Sequence, residues 1–228
     1  MHFCSKLSTL GAALVLTTAF ASADTLTIDS FGTGTNVGAN NTATKYVGTP
    51  TTTFDILNTG NPTSGWHAAL GSSQWVSYNA QTGPTGNVIS PDGTYTYTTT
   101  FTLNTNLENY IGSIEVLADD TTDVFLNGTP IQGVALPGTD GHCQSNTPNC
   151  STPTLVTFDP SLFVNGKNTL TFDVKQTGLG AQGLDFAGTI VGTATKGGTA
   201  PTPEPSSLLL LGTGLIGSAG ALFRKMRA

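Results

Sequence analysis

Between residues 95 and 103 the chain alternates with a period of two. Tyr95, Tyr97, Phe101 and Leu103 fall on one face, and Thr96, Thr98, Thr100 and Thr102 on the other. Successive residues of a strand point to opposite sides of a sheet, so this pattern predicts a half-buried β-strand. Apolar or β-branched runs at Leu26–Ile28, Thr52–Leu57, Trp75–Ser77, Ser113–Ala118, Asp123–Leu126, Leu155–Phe158, Thr169–Val174 and Leu184–Val191 predict further strands. Turn chemistry punctuates them: Asn127-Gly128 predicts a tight hairpin between Val124–Leu126 and Ile131. Pro91-Asp92-Gly93 and Asn165-Gly166-Lys167-Asn168 read as turns of similar chemistry. Helical periodicity is confined to the two ends, so the body is expected to be an all-β sandwich rather than an α/β enzyme.

The ends carry a different pattern. Lys6, the apolar run Leu7–Phe20 and the small-x-small sequence Ala21-Ser22-Ala23 make residues 1–23 a signal peptide read by the Sec export machinery. The mature chain then starts at Asp24, and Cys4 leaves with the peptide. At the other end, residues 206–223 hold no charge, and as a helix they would reach about 27 Å, against a hydrocarbon core of about 30 Å. Arg224, Lys225 and Arg227 follow, holding that end on the cytoplasmic side of the inner membrane. Between the signals, 24–191 is expected to be one domain and 192–202 a flexible Gly/Thr/Ala/Pro linker, with 29–51 a loose approach.

Pro203-Glu204-Pro205, the apolar span and the basic tail together resemble the PEP-CTERM sorting signal. The resemblance covers residues 203–228 and concerns address rather than activity. It implies a protein that is exported and anchored in the inner membrane by helix 206–223. An exosortase, its processing partner, then cuts it near the Pro-Glu-Pro for display at the cell surface or in the extracellular matrix.

Charge narrows the partners. Over 24–203 the only cations are Lys45, Lys167, Lys175 and Lys196, opposed by thirteen carboxylates. A chain so balanced, with no basic stripe, is not a nucleic-acid binder. In an oxidising compartment Cys143 and Cys150 are expected to close a disulfide around a short loop. A metal role for them is disfavoured by the sequence, since neither a second cysteine pair nor a histidine cluster accompanies them and His142 alone does not complete a zinc site.

Residues 65–191 resemble a galactose-binding-like jelly roll. The resemblance rests on Gly65-Trp66, Trp75-Val76-Ser77, the segment Pro91–Leu103, Ala118-Asp119-Asp120-Thr121-Thr122-Asp123-Val124-Phe125-Leu126-Asn127-Gly128, and Phe158–Leu170. It implies a β-sandwich that binds sugars, often beside a structural Ca²⁺. Asp119 and Asp120 also resemble the paired-Asp calcium motif of some adhesin sugar-binding domains, with Thr121 where a glycine is usual.

Candidate residues divide accordingly. Trp66 and Trp75, the only tryptophans, with His67 beside them, either stack on a sugar or fill the core. Asp119, Asp120 and Asp123 offer hard oxygen ligands suited to Ca²⁺, or form a solvated loop. No motif requires a cofactor. Glu115 with Asp119 and Asp120 would have to face each other across a cleft to act as glycosidase carboxylates. The threonine ladder Thr96–Thr102 has an ice-binding reading, but lacks a repeating solenoid period. No nucleophile constellation surrounds His67 or His142. The expectation is therefore a non-catalytic, exported surface protein associated with exopolysaccharide. A purely structural matrix protein, a secreted glycoside hydrolase and an ice-binding protein are the alternatives.

Overall fold

In the computed structural model the described residues are 23–31, 38–56, 65–131, 143 and 147–194. They form an all-β unit whose strands pair antiparallel throughout. The strands are β1 (Ala23–Asp29), β2 (Asn40–Tyr46), β3 (Thr52–Asp55), β4 (Val76–Ser77), β5 (Gly93–Leu103) and β6 (Leu107–Asp119). After them come β7 (Thr121–Leu126), β8 (Thr129–Pro130), β9 (Thr154–Thr157), β10 (Gly166–Gln176) and β11 (Gly183–Ala194). The ladder runs β8-β7-β10-β5-β2-β3-β4-β11-β6-β9, with β1 added to β11. Asn127 and Gly128 both take the positive φ that a tight hairpin turn between β7 and β8 demands.

The alternation in the sequence becomes burial. Along β10, Asn168, Leu170, Phe172, Val174 and Gln176 point inward, and the residues between them are half-buried or exposed. β5 does the same with Tyr97, Thr99, Phe101 and Leu103, leaving Thr100 and Thr102 exposed. Phe172 stacks on Phe186 of β11, centroids 4.5 Å apart, at the centre of the main core.

Residues 116–119 of β6 and 183–186 of β11 are buried on both faces. Val116 and Ala118 join the main core while Leu117 points the other way, into a smaller cluster of Ile56, Trp66, Leu70 and Trp75. Leu117 pairs with Asp185, and Asp119 pairs with Gly183. Leu117, Asp119, Gly183 and Asp185 therefore share one face of the β6–β11 ladder, opposite the main core.

Asp185 is fully buried there. Its Oδ2 accepts from the Leu70 amide at 2.8 Å, and the Ser73 and Ser30 hydroxyls stand 2.5 and 2.9 Å from Oδ1. One carboxylate thus fastens the 65–75 segment and the end of β1 to the ladder. Burial pushes Asp185 up to about 6, against the opposing pull of these donors, and burial also raises Asp55 to about 6.

Two expectations are corrected. Residues 29–51 are not a loose approach: they contain β2, which joins β5 to β3. Their Thr/Asn-rich composition hid a strand whose partners lie far along the chain. The linker does not begin at 192, because Thr193 and Ala194 still pair with Glu108 and Leu107. Residues 1–22, the sorting motif and the expected helix 206–223 lie outside the described residues. Among the described residues no helix is long and apolar enough to cross a membrane.

Asp185→Ala should lower stability by about 3 kcal/mol, since it leaves the buried Leu70 amide without its acceptor and the Ser73 and Ser30 hydroxyls with only the Leu70 and Gln74 carbonyls. Urea denaturation measures it. Because Asp55 and Asp185 titrate higher folded than unfolded, the folded state holds more protons between about pH 4 and pH 6. Stability measured in chelator should accordingly fall as pH rises through about 6, and less so in Asp185→Asn; a flat or rising profile would contradict this.

Candidate functional site

The site is assembled on the face just described. Trp66 lies directly over Gly183, where an added Cβ would come within 2.8 Å of both Trp66 Cη2 and Ile56 Cδ1. The missing side chain is what lets the indole approach the sheet. From there Trp66 Nε1 donates to Asp119 Oδ2 at 2.7 Å. Trp75 stacks against Trp66 with centroids 4.1 Å apart, and its Nε1 donates to the His67 carbonyl at 3.1 Å.

A second segment closes the site from the other side. Cys143 and Cys150 are joined as a disulfide, Cα atoms 4.7 Å apart. The His67 amide donates to the Cys150 carbonyl at 2.7 Å, and the Ala118 amide to the Asn149 carbonyl at 3.2 Å. One carboxylate oxygen of Asp119 and both sulfurs lie within 4.8 Å of one another.

Asp119 and its neighbour Asp120 are 2% and 0% exposed. Asp120 Oδ2 accepts from the Thr177 amide at 2.6 Å and from its hydroxyl at 3.0 Å. The Oδ1 atom of each carboxylate is buried with no hydrogen-bond partner. Burial, with Asp120 alongside, holds Asp119 well above the ordinary carboxylate range; the Trp66 indole and the Cys143 amide pull in the opposite direction. Two buried carboxylates side by side, with no base between them, form an electrostatically unfinished arrangement.

The sequence-predicted residues divide here. Trp66 and Trp75 are each 1% exposed, so neither indole face is available to a sugar arriving from solvent. Their rings are larger than a loop can leave in water without loss, and they fill the second core cluster instead. His67 is half-buried with Nδ1 donating to the Ala68 carbonyl at 2.7 Å. Asp123 does not complete a trio with Asp119 and Asp120, because Lys175 holds it in an ion pair across β7 and β10. Glu115 is exposed on β6, away from any buried pair. Thr96 of the threonine ladder bonds Asp173 at 2.6 Å.

Sequence reasoning missed an aromatic group beside this site. Tyr78 stacks on Tyr95 with centroids 5.1 Å apart, and Tyr46 leans on both at 5.6 and 6.2 Å. All three are half-buried. Val47, next to Tyr46, and Ile89, next to the Ser90 that meets the Tyr78 hydroxyl at 3.2 Å, are each more than 60% exposed, as is Leu179. Leu179 sits at positive φ, its amide held by Asp92 at 3.0 Å, on the segment whose Thr177 is tied to Asp120. Tyr46 and Tyr78 lie in stretches without alternation, and only contacts between distant strands bring them together.

Residues 201–227 match the family described as the PEP-CTERM protein-sorting motif. The match supports exosortase-dependent sorting of an exported chain that is membrane-anchored before processing. No curated protein matches the chain.

Trp66→Phe keeps the packing over Gly183 but removes the donor to Asp119. It should cost about 1–3 kcal/mol, read as a lower urea midpoint, with near-ultraviolet circular dichroism otherwise native. An unchanged midpoint would mean that the indole hydrogen bond does not stabilise the site.

Proposed function

We propose that the protein is a non-catalytic, exported surface or matrix protein whose domain binds Ca²⁺ through Asp119 and Asp120 and associates with exopolysaccharide. The observation that carries the reading is the pair of buried Oδ1 atoms without partners on adjacent carboxylates. Hard oxygen donors with net negative charge suit Ca²⁺, which takes about six to eight oxygens. Two carboxylates leave coordination positions open for water, since their burial keeps a glycan from the ion itself.

Tyr46, Tyr78 and Tyr95 form the glycan-facing surface in this reading, with Leu179 as its lip. Thr177 couples that lip to the ion, because Asp120 holds both its amide and its hydroxyl. The fold reading carried with it is the galactose-binding-like jelly roll. Burial of Asp119 and Asp120 supports a non-catalytic role, since glycosidase carboxylates flank a bond in an open cleft. The disulfide and the sorting motif fit an oxidising destination outside the cytoplasm.

Terbium, a luminescent substitute for Ca²⁺, tests the ion directly, because Trp66 touches Asp119 and would sensitise its emission. Sensitised emission should be displaced by Ca²⁺ and lost in Asp120→Asn. Ca²⁺ affinity should rise with pH, since the ion must displace the proton that burial favours on Asp119. For the glycan, Tyr78→Ala should abolish retention on immobilised exopolysaccharide while leaving terbium emission intact. Terbium emission without retention on any glycan would leave a structural, calcium-bound matrix protein. No emission at all would overturn the calcium reading.

A further inference from the structure

Cysteines and aspartate meet in this fold in a way the spacing along the chain does not announce. Along the chain only Asp140 and His142 stand near Cys143 and Cys150, yet β6 delivers Asp119 to the pair from more than twenty residues away. An Asp119 carboxylate oxygen and both sulfurs lie within 4.8 Å of one another. Cys150 is fully buried and Asp119 is 2% exposed, with its Oδ1 unpartnered. Trp66 Nε1 fixes the other oxygen, and the His67 amide fixes the Cys150 carbonyl.

We propose that Asp119, Cys143 and Cys150 form a second cation site, selective for a thiophilic divalent ion such as Zn²⁺ or Cd²⁺, which opens when the Cys143–Cys150 bond is reduced. Around one tetrahedral zinc, with Zn–S of about 2.3 Å and Zn–O of about 2.0–2.2 Å, neighbouring ligand atoms stand about 3.5–4 Å apart. In the oxidised protein the two sulfurs are bonded to each other, so reduction must let them part before they take that spacing around one ion beside the Asp119 oxygen. An external dithiol supplies two electrons and two protons to the Sγ–Sγ bond, giving two thiols and becoming a disulfide itself. The ion then binds the two sulfurs as thiolates, and their protons pass to solvent.

Electrostatics favours a dication over none. Two thiolates beside Asp119 and Asp120 would be a buried negative cluster, tolerable only when neutralised. Ligand softness selects the ion: thiolates favour zinc and cadmium, whereas the oxygens of Asp119 and Asp120 favour calcium. Asp119 thereby serves two sites, and the redox state of the cysteines selects between them. The thiolate site does not depend on the calcium reading, because Asp120 is dispensable to it.

The test uses the full chain purified in detergent, with Cd²⁺ as the probe. After reduction with a phosphine, cadmium should give a saturable, one-to-one sulfur-to-metal charge-transfer absorption that the oxidised protein lacks. Asp119→Asn should weaken it about 10–100-fold while Asp120→Asn leaves it unchanged. A measurement free of variants accompanies this. Zn²⁺ at a hundred times its dissociation constant should raise the midpoint potential of the cysteine pair by about 60 mV, as it stabilises the reduced form a hundredfold. An unchanged potential, equal absorption in Asp119→Asn, or cadmium binding only as the β-sheet circular dichroism is lost would each overturn the proposal.

Discussion

The site depends on a carboxylate that never meets solvent. Asp185 sits where β11 crosses Leu117 of β6 and gathers the Leu70 amide with the Ser73 and Ser30 hydroxyls. Those groups belong to the segment that carries Trp66 and Trp75 and to the end of β1. On that face Asp185 adds three polar ties to the one the Trp66 indole makes with Asp119. With it in place, Trp66 settles over Gly183 and its indole nitrogen reaches Asp119. Asp185 and Asp119, two pairs apart on one ladder, therefore hold the same segment from below.

A second constraint follows from sign. The described domain buries Asp55, Asp119, Asp120, Asp123 and Asp185, and the ion pair found among them is Lys175 with Asp123. Asp119, Asp120 and Asp185 rely on hydroxyls, amides and one indole. Neutral donors satisfy Asp185, whose oxygens are all engaged. They do not satisfy the Asp119–Asp120 pair, where one oxygen of each has no partner. One oxygen of each therefore stays without a donor, as one oxygen of Asp123 does.

Much of the fold was legible because alternation is a local signal. β5, β7, β10 and β11 fall where period-two runs and turn residues place them, and Asn127-Gly128 makes the expected hairpin. β2 was not legible. Its residues, Asn40–Tyr46, are threonines and asparagines with little apolar contrast, and only long-range pairing with β3 and β5 makes them a strand. The site was legible in chemistry but not in arrangement. Asp119 and Asp120 stood out as oxygen ligands, whereas Asp123 looked equivalent until register set it opposite Asp173 and within reach of Lys175. Tryptophan identity suggested either stacking or core, and packing over Gly183 decided for core. The tyrosine group and the meeting of Asp119 with the cysteines depend on contacts between distant segments, which no window along the chain contains.

Address and chemistry meet at the disulfide. The sorting motif at 201–227 supports delivery out of the cytoplasm, where cysteine pairs are stable as disulfides. Cys143 and Cys150 close as a disulfide beside the Asp119 carboxylate. The same closure fixes the Cys150 carbonyl against His67, whose own carbonyl receives the Trp75 indole. Oxidation after export would then do more than staple a loop. It would also hold the Cys150 carbonyl where the His67 amide reaches it, beside the tryptophan that donates to Asp119.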